Sequence, residues 1–217
     1  MRNRLSRSEQ VDRNRELVLE AARQVFLAKG YAGASLDAIA EAAGFSKGVV
    51  YSQFGAKGDL FLALLERRIA ERAKQNERLV ARATASAGIE ALFRLAERVS
   101  LEDPGWSALV IEFRVHAARD PDLARRYARA HAHTIDGVAA TLAELHQRAG
   151  LEPAFPVRTM AELLLALGSG TVLERLADPD ALSVESVAPT LGRVLGTESG
   201  TGNGRRTCPR APGRRKR

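Results

Sequence analysis

Ser35-Leu36-Asp37-Ala38-Ile39-Ala40-Glu41-Ala42-Ala43-Gly44-Phe45-Ser46-Lys47-Gly48-Val49-Val50-Tyr51-Ser52-Gln53-Phe54 is the stretch on which the fold turns. Leu36, Ile39, Ala40 and Ala43 recur at three- and four-residue steps, which predicts one buried helical face. Ser35 stands where a cap belongs, and Asp37 falls in the first turn, where the helix dipole favours a carboxylate. Gly44 ends this helix, because glycine turns left-handed without strain. Ser46 then caps a further helix running to about Phe54. Helix, tight turn and helix in this order form a unit that can hold its second helix out toward a DNA major groove.

The second of these helices divides by face. Val50 and Phe54 are four apart and should pack inward. Gly48, Val49 and Ser52 then point away, flanked by Lys47, Tyr51 and Gln53, and that face carries no acid of its own. Gly48 costs about 1 kcal/mol of helix propensity relative to alanine, which suggests a need for close approach. The same spacing also fits an ordinary three-helix packing unit with no DNA role.

Outward from this stretch, the chain reads as all-α. Alanine and leucine dominate, and β-branched runs are scarce. Leu17, Val18, Ala21, Ala22, Val25 and Phe26 make an apolar stripe on a helix expected over about residues 9–29, closed by Gly30. A long helix should follow from about 57 to 83, opened by Leu60, Phe61, Leu64 and Leu65. Further helices are expected near 87–102, 105–118, 121–149, 157–177 and 184–195. Asp120-Pro121 is a start signal, an N-cap acid with proline in the first turn. Residues 196–217 mix Gly, Pro, Ser, Thr and Arg without periodicity, so a disordered tail is expected. The division is 1–56 for the DNA-binding unit with its basic arm, 57–195 for a helical ligand-binding and dimerisation body, and 196–217 for the tail.

Charge supports an anionic partner. The 217 residues hold 33 Lys+Arg and 26 Asp+Glu, for a net charge of +7. The excess sits at the ends: Arg205, Arg206, Arg210, Arg214, Arg215, Lys216 and Arg217 face only Glu198 in the tail, and five arginines fall within residues 1–15. Nucleic acid is the favoured partner. The single cysteine, Cys208, excludes a disulfide framework and zinc-finger spacing. No apolar run reaches membrane-spanning length, and the basic N-terminus has no apolar region behind it, so a cytoplasmic protein without membrane partners is expected. An enzyme finds little support. His131 and His133 are two apart and splay to different helix faces, which makes a poor metal site. Gly168-Ser169-Gly170 lacks the strand–turn–helix setting of a nucleophile elbow. No metal and no cofactor are expected.

Residues 13–65 resemble the opening domain of the tetracycline-repressor (TetR) family without a gap. The resemblance rests on Ala21-Ala22-Arg23-Gln24-Val25-Phe26-Leu27-Ala28-Lys29-Gly30-Tyr31, on the whole 35–54 stretch, and on Gly55-Ala56-Lys57-Gly58-Asp59-Leu60. It implies a homodimer that binds a palindromic operator on double-stranded DNA. It also implies that Lys47, Gly48 and Val49 read bases, and that Ser35, Tyr51, Gln53 and Lys57 touch the phosphate backbone. Ser46 at the start of the helix and Ser52 on its outward face complete the expected DNA-binding set. The chemistry is compatible: lysine donates to guanine, and valine packs on a thymine methyl. Gly58 and Gly55 depart from the family pattern and predict a softer joint before the long helix.

In the body, Trp106, Leu109, Val110 and Phe113 make a stripe with His116 on its edge. Tyr127, His131 and Thr134 make another, and Phe93 lies on the helix before them. Each residue reads as plain core or as the lining of a mostly apolar small-molecule cavity. Residues 157–177 are apolar nearly all round, so both faces should be buried. One face can pack on its own domain and the other on a partner subunit, and the family resemblance makes Leu163, Leu164, Leu167, Gly168 and Thr171, with Leu191 and Leu195 from the last helix, the expected dimer surface. The resulting expectation is a ligand-responsive regulator, a repressor released by a small-molecule inducer. The alternative is a DNA-coating protein without sequence preference or inducer, dominated by its basic ends.

Overall fold

Ser6 opens the first helix with a reciprocal cap: its hydroxyl accepts the Glu9 N–H at 3.2 Å, and Glu9 Oε2 accepts the Ser6 N–H at 2.7 Å. The computed structural model describes residues 6–82, 103–150 and 152–183. Within them lie seven helices: α1 (Arg7–Gly33), α2 (Leu36–Ala43), α3 (Lys47–Gln53), α4 (Lys57–Arg82), α5 (Pro104–Ala117), α6 (Pro121–Ala149) and α7 (Val157–Ala177). The fold is all-helical, as expected. The helices expected at 87–102 and 184–195 and the tail at 196–217 lie outside the described residues, and so do Phe93, Leu191 and Leu195.

One reading of α1 is corrected. Gly30 breaks the helix as expected, at φ 69°, ψ 172°, and a further helical turn follows the kink to Gly33. Leu17 is 49% exposed, whereas Leu19 is buried beside Val18, Ala22 and Phe26. The apolar stripe is therefore shifted by one position at its start. In α2, Leu36, Ile39 and Ala40 are buried as expected.

One aromatic cluster welds the N-terminal unit to the body. Tyr31 from the end of α1 sits edge-on to Phe61 of α4, with ring centroids 5.4 Å apart, and to Phe113 of α5 at 4.9 Å. Phe61 stacks on Phe113 at 4.1 Å and on Trp106 at 5.9 Å. Phe26, Phe61 and Phe113 are fully buried. Such rings supply both large apolar area and preferred mutual geometry. Burial, with Asp120 and Asp59 nearby, pushes the Tyr31 phenol up to about 12, so it stays neutral.

Polar links reinforce this seam. Asp120 caps α6 by accepting from Asp122 and Leu123 N–H, as the Asp-Pro signal predicts. Asp103 caps α5 and also pairs with Arg23 of α1 at 2.5 Å. Glu112 of α5 accepts two N–H groups at the end of α1, from Tyr31 at 3.0 Å and Ala32 at 2.9 Å.

The softer joint expected at Gly55 and Gly58 is overturned. Gly58 is buried, and a Cβ there would lie 2.9 Å from Leu123 Cδ1 of α6. The missing side chain lets α4 and α6 touch. The turn at Gly55 is tied by Asp59, whose Oδ2 accepts the Ala56 N–H at 2.8 Å. Asp59 also pairs with Arg126 of α6.

Candidate nucleic-acid interface

The turn before α3 is built by hydrogen bonding and one glycine. Gly44 lies in the left-handed region at φ 71°, ψ 25°, with its N–H on the last carbonyls of α2. A Cβ at Gly44 would meet nothing within 4 Å, so glycine is there for its backbone freedom rather than for space. Phe45 N–H closes on Ala40 O at 3.0 Å. Ser35 caps α2 by accepting the Ala38 N–H at 3.2 Å, which leaves its own O–H unspent on that bond. Ser46 holds the N-cap position of α3, but its hydroxyl makes no cap bond, contrary to expectation.

The division of α3 by face holds for most positions. Val50 and Phe54 are 0% and 2% exposed. Lys47, Gly48, Tyr51 and Ser52 are exposed, while Val49 and Gln53 are half-buried. Val49 therefore leans toward the scaffold more than the wheel predicts. The space over Gly48 is open: a Cβ would have only Ser46 Oγ for company, at 4.0 Å. Ser52 donates to the Val49 carbonyl at 2.9 Å.

An acid that sequence reasoning did not associate with this face stands beside it. Asp37 of α2 pairs with Lys47, and its other oxygen accepts from the Tyr51 hydroxyl at 3.4 Å. Its hydrogen bond and charge raise the Lys47 ammonium above its ordinary range. The signal in the sequence was the helix-start position of Asp37, which explained that acid without reference to α3.

Lys57 has a structural task in this arrangement. Its ammonium donates to the carbonyls of Tyr31 at 2.7 Å, Ala34 at 3.0 Å and Ala32 at 3.2 Å. It also lies 4.5 Å from the centre of the Tyr31 ring. Burial lowers its pKa, and Glu112 opposes that shift. The start of α4 is thereby anchored to the end of α1.

The residues expected to line a body cavity separate into two groups. Trp106, Leu109 and Phe113 are buried in the aromatic seam, and Val110 packs against it. His116 is exposed and tilted over Tyr31, with ring centroids 4.8 Å apart. Tyr127, His131 and Thr134 are half-buried on α6. Tyr127 and His131 stack at 5.7 Å, Arg114 lies 5.8 Å over the Tyr127 ring, and Arg114 reaches Ser169 of α7 at 3.2 Å. Burial raises the Tyr127 phenol, and burial together with Arg114 lowers the His131 imidazole.

On α7, Met160 and Ala161 are buried against α6, with Leu164 and Leu165 partly so. The opposite face is not covered: Leu163 is 46% exposed and Leu167 42%. Gly168 and Thr171 are half-buried, and nothing stands within 4 Å of a Cβ on Gly168 or Gly170. One face of α7 is therefore buried within the chain and the other is exposed. Among the described residues, no group of His, Cys, Asp and Glu is placed to hold a metal ion, and no helix is long and apolar enough to cross a membrane.

Comparison with known proteins agrees with this geometry. Residues 18–64 match the model of bacterial regulatory proteins of the tetR family. Residues 81–198 match that of the BetI-type transcriptional repressor C-terminal domain. The HTH-type transcriptional activator FasR of Mycolicibacterium smegmatis is 45% identical over 67 residues, which is 31% of this chain and 29% of FasR. The HTH-type transcriptional repressor AcnR of Corynebacterium glutamicum is 26% identical over 187 residues, covering 85% of this chain and 92% of AcnR. Among solved structures, the regulator FadR of Bacillus subtilis in complex with stearoyl-CoA superposes with a TM-score of 0.66 at 18% identity, covering 83% of this chain and 96% of that one.

Proposed function

Because the chain belongs to the tetR family of bacterial regulatory proteins, a family of transcriptional regulators, we propose that it is a cytoplasmic homodimeric repressor, released from a palindromic operator by a small-molecule inducer. The observation that carries this reading is the exposed face of α3, with Lys47, Gly48, Tyr51 and Ser52 held out beyond the left-handed Gly44 turn. In this reading Lys47, Gly48 and Val49 approach base edges, and Ser35, Ser46, Tyr51, Ser52 and Gln53 serve the backbone. Lys57 acts through the anchor it makes at the end of α1.

A second copy is the proposed cover for α7. Leu163 and Leu167 lie one turn apart, and the open space over Gly168 and Gly170 lets a partner helix approach closely. A dimer would present two α3 helices about one DNA turn apart, roughly 34–36 Å.

The inducer site is assigned to the polar edge of the body around Tyr127, His131 and Thr134, with Arg114 and Ser169 opposite. FadR, of the same fold, was solved with stearoyl-CoA, which supports a ligand-binding body in principle. A ligand that shifted α6 would drag α4 through Arg126–Asp59 and the Leu123–Gly58 contact, and α4 carries the DNA-binding unit with it. Release then requires tighter ligand binding to the DNA-incompetent arrangement.

The test is selection of binding sites from random duplex DNA by the purified chain at physiological salt. A palindrome with half-sites about one turn apart is expected. Recovery of unselected DNA would instead mean that the basic ends govern binding. Replacing both Leu163 and Leu167 by lysine should abolish the dimer in sedimentation and weaken operator binding.

A further inference from the structure

We propose that the cleft between the DNA-binding unit and α6 is a second effector site, one that takes a small carboxylate-bearing molecule with its own hydrogen-bond donors. It shares no residue with the body site assigned above. The cleft has a volume of about 570 Å³, which is within the usual range of small-molecule sites. Leu62 and Ala63 of α4 belong to its lining. One side is Arg15 of α1 with Gln53 and Phe54 at the end of α3, and the other is Arg129 and His133 of α6.

Its charges are not fully spent inside the protein. Of the acids in the lining, Asp59 pairs with Arg126 and Asp136 with Arg158. Among the described residues, Arg15 and Arg129 have no acidic partner. Arg15 instead lies over the Phe54 ring, 4.5 Å from its centre. Two arginines lining one cleft, from α1 and α6, suit a carboxylate, which accepts a forked pair of N–H bonds from a guanidinium.

The cleft also holds unused acceptors. Gln53 Oε1 is buried without a hydrogen-bond partner. A buried amide oxygen left unpaired is costly and calls for a donor. Glu66, also in the lining, has no cationic partner among the described residues. A hydroxyl on the ligand would donate to one of them, and an ammonium group, with three N–H donors, could serve both. The complementary molecule is therefore a small hydroxy or amino acid, neither a bare anion nor an apolar chain.

Such a ligand would touch both halves of the molecule. Gln53 ends the recognition helix, and Arg129 stands on α6. Bridging them favours one orientation of the DNA-binding unit, so occupancy must change operator affinity, and operator must change occupancy by the same factor.

The experiment uses the full chain and four probes at about 10 mM and matched ionic strength: malate, glutamate, succinate and inorganic phosphate. Malate and glutamate are expected to raise the thermal midpoint, to change operator affinity about fivefold or more, and to do neither in Arg129→Gln. Arg129→Gln alone should leave operator affinity unchanged. Equal shifts with succinate or phosphate would make the cleft a general anion site and overturn the ligand class. No shift with any probe, or a shift untouched by Arg129→Gln, would overturn the site. A variant that weakens operator binding without any probe and lowers the salt slope by about one would make Arg129 a phosphate contact instead. The midpoint measurement needs no DNA, so it stands even if the repressor reading fails.

Discussion

Glu112 and Tyr31 join the helical body to the DNA-binding unit: the carboxylate accepts the Tyr31 N–H at 3.0 Å while its other oxygen accepts that of Ala32 at 2.9 Å. The bonds fall just after the backbone reversal at Gly30, where a Cβ would lie 2.9 Å from Glu112 Oε2. Glutamine offers one acceptor and would turn an NH₂ toward the second N–H. Glu112→Gln should therefore lower stability by about 1–3 kcal/mol, a value typical of lost charge-assisted bonds. That is a drop of several degrees in the midpoint by circular dichroism. An unchanged midpoint would mean that water replaces the carboxylate without loss.

Gly58 and Leu123 make the second joint, and here two principles oppose each other. Alanine in a helix gains about 1 kcal/mol of propensity over glycine. A methyl driven to 2.9 Å from a packed leucine costs about 1–3 kcal/mol. Gly58→Ala is therefore expected to be neutral or destabilising. In a Leu123→Ala background the same change should become stabilising, because the clash is gone and the propensity remains. A double-mutant cycle with no coupling between the two positions would refute the contact.

Much of the fold and part of the site were legible, for physical reasons that differ by residue. Asp120-Pro121 and Gly44 announce themselves because proline and glycine restrict or free the backbone locally. The pairing of Val50 with Phe54 follows from helical spacing. The Ser6–Glu9 cap was equally local, a serine followed three residues later by glutamate, and reading it would have placed the start of α1 correctly. Gly58 was misread because its role depends on Leu123, a residue from a distant helix that no local pattern points to. Lys57 and Asp37 are alike: each has a plausible local role, and each is engaged by groups brought near only by folding. Trp106 and Phe113 could be lining or core on spacing alone, and the rings of Tyr31 and Phe61 decide it.

In the proposed reading, the Lys47–Asp37 pair limits how strongly α3 is drawn to phosphate. A lysine already partnered contributes little to counterion release. Asp37→Asn removes the competitor, so binding to unrelated duplex DNA should become more salt-dependent, the logarithmic slope steepening by about 0.9 for one added phosphate contact. Discrimination in favour of operator should fall at the same time. Fluorescence anisotropy across a salt series measures both. A slope identical to that of the native chain would show that the pair opens freely on DNA and restrains nothing.

His131 gives the body a pH dependence of known sign. Burial and the nearby Arg114 hold its pKa below the ordinary 6.5, with Glu162 opposing them, so the folded chain keeps the ring neutral against Tyr127. The unfolded chain takes up the proton first as pH falls. The contribution of the neutral ring is therefore fully present above about 6.5 and is lost as the pH drops below it. His131→Asn removes this titration. The native midpoint should fall more than that of the variant between about pH 7.5 and 5.5, and the two should run parallel above pH 7.5. If the gap between them instead widened on the alkaline side, the ring would be held protonated in the folded chain, and Glu162 rather than Arg114 would govern it.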